Sequence, residues 1–247
     1  MRQITSPQNP LVKSWMKLSD RATRNECKQF LVEGNHLVEE AYKAGILQET
    51  IITHLEDAIP GVPSTHVSME VIEKLAKTKT PQGVMGLCRI NAYPTFSKKR
   101  YLILDGIQDP GNLGTLIRSA LGFGIEGLIT TPDGVDPYHD KVVRSAQGAL
   151  FHLELHTLPF VDFLPQLKEQ GFYLYGTDVE RGTLLEEVTP TPKFALMLGS
   201  EGGGLSSYAR KQVDNFVHIP TQSILESLNV AIAGSIILYH MMQTGGY

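Results

Sequence analysis

Apolar residues near the start of the chain recur at the spacing of one helix face. The stretch "NPLVKSWMKLSD" (9–20) carries them after Pro10, a residue that suits the first turn of a helix. They are Leu11, Val12, Trp15 and Met16. This pattern predicts an amphipathic helix from about residue 10, with the lone tryptophan, Trp15, in the core of the domain rather than on its surface.

Short apolar runs bounded by glycine and polar residues follow this helix. The predicted strands are "FLVEG" (30–34), "ETIIT" (49–53) and "GVMGLCRI" (83–90), and "NHLVEEAYKAG" (35–45) predicts a helix. Together they predict a small α/β domain over residues 1–92. The polar, proline-containing segment 93–100 is typical of a linker.

Beyond residue 100 the pattern becomes a regular alternation of continuous apolar strands and amphipathic helices. The predicted strands are "YLILD", "GLIT", "HLEL", "FYLYGT", "FALMLG" and "FVHIP". Continuous apolar strands that alternate with helices indicate a parallel sheet covered on both faces. Residues 101–247 are therefore predicted to form a second α/β domain.

Composition places the chain in an ordinary class. Its 247 residues are 42% hydrophobic and 19% charged, as in globular proteins that are not embedded in a membrane. The N-terminus lacks the apolar core of a signal peptide, and the apolar runs are broken before membrane-spanning length. Cys27 and Cys88 form no spaced pair, so no zinc site or disulfide framework is indicated. We expect a cytoplasmic protein with no membrane partner and no metal.

Charge differs between the two predicted domains. Residues 1–100 carry 14 Lys and Arg against 10 Asp and Glu, whereas residues 101–247 carry 8 against 16. The basic excess of the first part indicates a polyanion partner, although solvated helix faces explain it as well. Lys13 and Lys17 fall together off the apolar stripe, and Arg21 would extend their row if the helix continued.

The stretch "LDGIQDPGNLGTLIRSALGFG" (104–124) reads as a strand, a glycine-containing turn and a helix. Its glycines do not have the G-x-G-x-x-G spacing of a dinucleotide site, and the lysine of a phosphate loop is absent. A nicotinamide, flavin or nucleoside triphosphate enzyme is therefore disfavoured. Arg118 lies about 100° beyond Ile117 on the helix, off its apolar stripe, so we expect it to be accessible.

Two later segments also combine a strand with an unusual loop. "LMLGSEGGGLS" (196–206) ends a strand in three consecutive glycines beside Glu201, which permits close backbone approach. "VHIPTQSILESLNVAIAGSIILYH" (217–240) is a strand, a polar loop and a helix with small residues for close packing.

In order and spacing, these three segments resemble the motifs of the SpoU (TrmH) family of RNA ribose 2′-O-methyltransferases. The first motif is matched by Asn112, Gly114 and Arg118. The second is matched by Gly199, Glu201, Gly202, Gly204 and Leu205, and the third by Ile219, Pro220 and Ser227 through Ala231. "FLVEG" and "VEEA" resemble the family's ribosomal-protein-like substrate-binding domain.

This resemblance implies a SPOUT-type α/β domain with a deep trefoil knot, a homodimer, and S-adenosylmethionine as the cofactor. It implies a methyl transfer to a ribose 2′-hydroxyl of RNA, with guanosine in 23S ribosomal RNA as the favoured target. A tRNA ribose methyltransferase and a non-catalytic RNA-binding relative are the alternatives. The implied cofactor-binding residues are Thr177, Leu198, Gly199, Glu201, Gly202, Ile219, Pro220 and Leu228.

The resemblance also implies the catalytic residues Arg118, Asn112, Glu201, Ser227 and Asn229. A free arginine has a pKa above about 12 and is a poor base, so we favour a phosphate clamp for Arg118, with a transiently neutral base as the alternative. Asn112 would orient Arg118 or the ribose, or cap its helix. Glu201 would position the arginine or cap its loop. Ser227 and Asn229 would offer hydrogen bonds to the ribose or to Asn112, and Asn229 has capping of the last helix as its alternative role.

Residues expected to contact RNA are spread over both predicted domains: Lys13, Lys17, Arg21, Arg118, Lys141 and Arg144. Lys141 and Arg144 are three positions apart and would share a helix face, where they either hold phosphates or are ordinary helix charges. His139 is a candidate base for the ribose 2′-hydroxyl, but nothing else in the surrounding sequence suggests that role.

Overall fold

The computed structural model describes residues 1–179, 181–222, 224 and 227–246. The chain divides into two compact units: residues 1–92 with 138–151, and residues 93–137 with 152–247. The sequence placed residues 138–151 in the second domain, whereas the structure places them in the first unit. They belong to the first unit because the rings of Tyr138 and Phe151 pack on Phe30, at centroid distances of 4.8 and 5.9 Å.

The first unit is a five-stranded mixed sheet with helices. Its strands are β1 (Arg2–Ile4), β2 (Gln29–Glu33), β3 (Leu47–Ile52), β4 (Ser64–Val67) and β5 (Val84–Arg89), in the spatial order β1-β4-β3-β5-β2. Its helices are α1 (Pro10–Lys17), α2 (Arg21–Cys27), α3 (Asn35–Lys43), α4 (Met69–Leu75) and α6 (Asp140–Ala146). Sequence patterns missed β1, β4, α2 and α4, which are short.

The apolar face of α1 anchors the N-terminal segment to the core of this unit. Val12 and Trp15 are buried there, Trp15 with 2% of its surface exposed, as predicted. Asn9 caps α1 by accepting from the amide of Leu11 at 2.9 Å. The expected basic row is broken, because α1 ends at Lys17 and Arg21 begins the separate helix α2, which Asp20 caps.

The second unit contains a seven-stranded sheet whose pairs are all parallel within the described residues. Its strands are β6 (Arg100–Asp105), β7 (Gly127–Thr130), β8 (Glu154–Thr157), β9 (Tyr173–Thr177), β10 (Thr183–Leu184), β11 (Phe194–Gly199) and β12 (Asn215–His218), in the order β10-β12-β9-β11-β6-β7-β8. Its helices are α5 (Pro110–Gly122), α7 (Phe160–Glu169), α8 (Ser207–Arg210) and α9 (Val230–Gly245). The predicted parallel α/β fold is confirmed.

Close packing joins α5 and α9 of the second unit. A Cβ added to Gly234 would lie 2.6 Å from side-chain atoms of both Leu116 and Leu198, so only glycine lets α9 approach so closely. The hydroxyls of Ser119 and Ser235 also meet at 2.7 Å between the two helices. The small residues of the last helix therefore serve packing, as the sequence indicated.

Candidate functional site

The motif residues of the second unit gather where its parallel strands end. β6 and β11 are adjacent and in register, with Asp105 opposite Gly199. Parallel strands that end together place their following loops at one edge of the sheet, which is where ligand sites form in α/β proteins. The glycine loop after β11 and the turn into α5 are therefore neighbours.

The glycine loop, residues 199–204, folds back on itself. The amide of Ser200 donates to the carbonyl of Gly204 at 3.1 Å, and the amide of Gly204 donates to the carbonyl of Ser200 at 2.8 Å. A Cβ on Gly199 would lie 2.0 Å from the carbonyl carbon of Gly204, and Gly204 itself has a φ of +61°. Glycine is thus required at both ends of this loop.

Two buried contacts hold the far end of the glycine loop. Leu205 is 3% exposed and packs in the core of the second unit. The carboxylate of Asp105 accepts from the amide of Ser206 at 2.6 Å and so ties the loop to the end of β6. Asp105 was not predicted from the sequence, because its role depends on a residue 101 positions away.

Asn112, Glu201 and Asn229 come together although they belong to three different motifs. Oε1 of Glu201 accepts from Nδ2 of Asn112 at 2.5 Å and from Nδ2 of Asn229 at 2.8 Å. Nδ2 of Asn229 also donates to Oδ1 of Asn112 at 3.1 Å. The three side chains form one polar cluster, which we call the amide–carboxylate cluster.

Asn112 and Asn229 were both candidates for helix caps, and only Asn229 has that role. Asn112 is not the N-cap of α5, because Asp109 caps that helix and accepts from the Asn112 amide at 2.7 Å. Asn229 does cap α9, since its Oδ1 accepts from the amides of Ala231 and Ile232 at 2.9 and 3.2 Å. The side chain of Asn112 is therefore free of a capping role and is turned to the cluster.

Arg118 lies on α5 one to two turns beyond Asn112 and is exposed, as the apolar stripe predicted. Within the part of the chain that the structure describes, it makes no hydrogen bond or ion pair. Glu201 therefore contacts the two asparagines here and not the arginine. The guanidinium stays available to a ligand.

A cavity of about 370 Å³ opens beside the amide–carboxylate cluster. This volume is within the roughly 300–1,000 Å³ of small-molecule sites. Its walls include seven of the eight expected cofactor residues: Thr177, Leu198, Gly199, Glu201, Gly202, Ile219 and Leu228. Ser227 lines it too, whereas Pro220 is exposed and is not among its described lining residues. Positions 223, 225 and 226 of the third motif lie outside the described residues.

The cavity also has polar walls that the sequence did not predict. Asp178, directly after β9, accepts a hydrogen bond of 2.5 Å from Arg210 of α8, and both residues line the cavity. The Arg210 guanidinium lies 5.0 Å from the ring centroid of Phe216. Gly202, in contrast, faces open space, since an added Cβ would meet nothing within 4 Å. The cavity thus combines apolar side chains, exposed backbone and a few charged groups.

The expected RNA contacts of the first unit lie on its helices. Lys13 and Lys17 are exposed on α1, and Lys141 is exposed on α6. Arg144 pairs with Asp140 at 2.7 Å on the same helix. His139 caps α6 by accepting from the amide of Lys141 at 3.3 Å, which gives it a structural role.

The described residues offer neither a metal site nor a membrane-spanning helix. They contain no group of three or more His, Cys, Asp or Glu side chains arranged to hold a metal ion. Among the same residues, no helix has the length and apolar character to cross a membrane.

Comparisons with known proteins agree with the motif geometry. The model of the SpoU rRNA Methylase family matches residues 99–239, and the model of the MRM3-like substrate binding domain matches residues 9–86. The 23S rRNA (guanosine(2553)-2′-O)-methyltransferase RlmP of Bacillus subtilis is 34% identical over 247 residues, which cover 98% of this chain and 99% of that protein.

Solved structures show the same fold. The AdoMet-bound rRNA methyltransferase of Sinorhizobium meliloti superposes with a TM-score of 0.88 at 26% identity, covering 98% of this chain and 97% of that one. The SpoU methyltransferase AviRb of Streptomyces viridochromogenes, in complex with AdoMet, gives a TM-score of 0.83 at 26% identity, covering 96% and 98%.

Proposed function

This chain belongs to the SpoU rRNA methylase family, and from that premise we propose that it methylates a ribose 2′-hydroxyl of RNA with S-adenosylmethionine as the methyl donor. The observation that carries the proposal is the cavity of the second unit, bordered by Glu201 of the amide–carboxylate cluster. We further propose a guanosine of 23S ribosomal RNA as the target, since the Bacillus subtilis relative acts on one.

The residues present fit such a cofactor. Gly202 leaves open space at the wall of the cavity, so a flat ring can lie against main chain there. Leu198, Ile219 and Leu228 add apolar surface, and Asp178 and Arg210 offer an acceptor and a donor to the polar parts of the molecule. When bound, S-adenosylmethionine supplies a sulfonium-activated methyl group for in-line displacement by an oxygen nucleophile.

The side chains of the protein have to position the ribose 2′-hydroxyl, which loses its proton in the reaction. Arg118 is exposed on the same helix as Asn112, and its guanidinium presents N–H donors in a fixed fork that suits a phosphate. We assign it the role of clamping an RNA phosphate next to the reacting ribose. Such positioning lowers the barrier by fixing the hydroxyl near the methyl carbon, and the hydroxyl proton passes to water late in the transfer.

The amide–carboxylate cluster supports this arrangement indirectly. Glu201 fixes the side-chain amides of Asn112 and Asn229, and thereby links the start of α5 to the start of α9. Both helices then keep a set position relative to the glycine loop that lines the cavity. Ser227, which also lines the cavity, offers a hydroxyl to the ligand.

We also propose that the protein is a homodimer and that its C-terminal segment forms the family's trefoil knot. An apolar stripe on α9 supports the dimer, since Ile232, Ile236 and Tyr239 are 53%, 40% and 52% exposed. These positions follow the i, i+4, i+7 spacing of one helix face. A second copy of the chain would cover them.

The test is transfer of radiolabelled methyl groups to unmodified 23S ribosomal RNA, with the product mapped by resistance to alkaline cleavage. We expect one new resistant linkage with the wild-type protein and none with Arg118→Ala. Calorimetry should show that both proteins bind S-adenosylmethionine alike, because Arg118 is not among the described residues that line the cavity. Equal labelling by both proteins would refute the role of Arg118, and tight binding of NADH in place of S-adenosylmethionine would refute the proposed reaction.

A further inference from the structure

The first unit contains a separate cavity of about 120 Å³ beneath its N-terminal helices. Residues of α1, α2, α3, α4, α6, β2 and β5, and of the segments next to them, line it. Every described lining residue belongs to this unit. The cavity is thus a property of the first unit alone, and the methyl transfer proposed above does not use it.

Most of the cavity wall is apolar and part of it is aromatic. Trp15 lines it while being 2% exposed, so the indole forms an inner wall. Tyr138 lines it as well, and its ring is supported by Phe30, whose centroid lies 4.8 Å away. An enclosed apolar cavity of about 150 Å³ binds benzene, and the present cavity, of about 120 Å³ with an open rim, is of the same order as a single flat ring requires.

The remaining wall carries an excess of positive charge. Among the described lining residues there are four cations, Arg24, Lys74, Lys77 and Arg144, and two carboxylates, Glu33 and Asp140. Lys74 and Lys77 are exposed at the rim.

The other charged groups are held in place by the protein. Arg24 is 4% exposed, and its Nη1 donates to the carbonyl oxygens of Leu18 and Ser19 at 2.7 and 2.8 Å. These two bonds fix the guanidinium in the wall of the cavity. Glu33 accepts from the Lys77 amide at 2.9 Å, which holds that part of the rim in position.

We propose that this cavity binds one unpaired nucleotide of the RNA substrate, with the base against Tyr138 and the phosphate at Lys74 and Lys77. The inference rests on the proposed RNA substrate. Proteins read single-stranded RNA by stacking bases on aromatic rings while cations hold the backbone. A free anion would leave the apolar wall unused, and an apolar ligand would leave the cations unused.

The chain supplies its own reporter for this site. Trp15 is the single tryptophan of the sequence and lines the cavity, so its emission reports a base entering there. The experiment titrates the full-length protein with a ten-nucleotide oligouridylate, and follows tryptophan emission and the anisotropy of a labelled copy in parallel. We expect saturable quenching that follows the anisotropy curve, and little quenching by a duplex of the same length.

Paired variants separate the cavity from the general charge of the protein. Lys74→Ala/Lys77→Ala removes the two rim lysines, and we expect it to weaken oligouridylate binding by about tenfold, as loss of one or two charge-assisted contacts does. Lys43→Ala/Lys79→Ala removes the same charge from exposed lysines that do not line the cavity. We expect this control to change the affinity less than twofold.

Four results would overturn the proposal. The first three are oligouridylate that binds by anisotropy without altering Trp15 emission, equal weakening by both double variants, and quenching by inorganic phosphate alone. Absence of any binding by the wild-type chain would overturn it too. None of these results bears on S-adenosylmethionine affinity, which is measured in the same samples. A protein that methylates RNA but shows no Trp15 response would keep the proposed function and lose only this site.

Discussion

The carboxylate of Glu201 accepts a 2.5 Å hydrogen bond from the side-chain amide of Asn112, although the two residues are 89 positions apart. Glu201 stands in the loop that follows β11, and Asn112 stands in the first turn of α5, the helix that follows the adjacent strand β6. The contact joins the glycine loop to α5, the helix that carries Arg118. It therefore links the residues assigned to the cofactor with the residue assigned to the RNA phosphate.

Replacing Glu201 with glutamine should slow methyl transfer by about tenfold or more, the effect of weakening two hydrogen bonds to a charged acceptor. The fold should survive, because Glu201 is exposed. Single-turnover rates and thermal unfolding measure the two effects. Glu169→Gln, on the exposed face of α7, is the control and should match the wild type. A Glu201→Gln rate equal to that of this control would contradict a function for the cluster.

Two glycines of the same loop should respond differently to alanine. Gly199→Ala places a methyl group 2.0 Å from the Gly204 carbonyl carbon, and we expect a loss of about 1–3 kcal/mol or more in the free energy of unfolding. Gly202→Ala meets no atom within 4 Å and should unfold like the wild type, but it should bind S-adenosylmethionine more weakly because it narrows the cavity. Denaturant unfolding and calorimetry test the pair, and equal stability of both variants would show that the close approach at Gly199 is unimportant.

A buried hydrogen-bond network should make stability depend on pH. Burial acts to raise the pKa of the Glu154 carboxyl, but hydrogen bonds from His156, Ser97 and Tyr101 outweigh it and hold that pKa below its ordinary value of 4.5. A carboxyl whose pKa is lower in the folded state stabilises the fold above the unfolded pKa, and this contribution disappears as pH falls through the folded pKa.

Glu154→Gln should therefore lower the free energy of unfolding by about 1–3 kcal/mol at pH 7, with a difference from the wild type that shrinks below about pH 4.5. Urea unfolding of both proteins from pH 7 to pH 3.5 measures this difference. Glu187→Gln, at an exposed position of the same unit, is the matched control. A Glu154→Gln difference that stays constant over the whole range would show that the carboxylate charge does not stabilise the network.

The apolar stripe on α9 should control the oligomeric state. Ile236→Asp places a charge in the proposed interface, and we expect a monomer in sedimentation equilibrium where the wild type is a dimer. Val161→Asp, at a 60% exposed position on α7, should remain dimeric. Circular dichroism checks that both variants fold. A wild-type chain that sediments as a monomer would refute the dimer.

Local patterns along the chain were sufficient for much of the fold. The alternation of apolar strands with helices predicted the parallel sheet of the second unit, and the stripe on α5 predicted that Arg118 is exposed. Both depend on neighbouring residues, since burial on a sheet or along a helix face imposes a fixed period. Motif order and spacing likewise indicated the family.

Contacts between residues far apart in the sequence could not be predicted from local patterns and are seen only in the tertiary structure. Three sets of contacts join separate segments of the chain: Asp105 with Ser206, Asp178 with Arg210, and Glu201 with Asn112 and Asn229. The cavity behind Trp15 is a further case, because α6 comes to it from far along the chain. Periodicity describes which face of an element is buried, but not which other element covers it, and these sites exist only where separate segments meet.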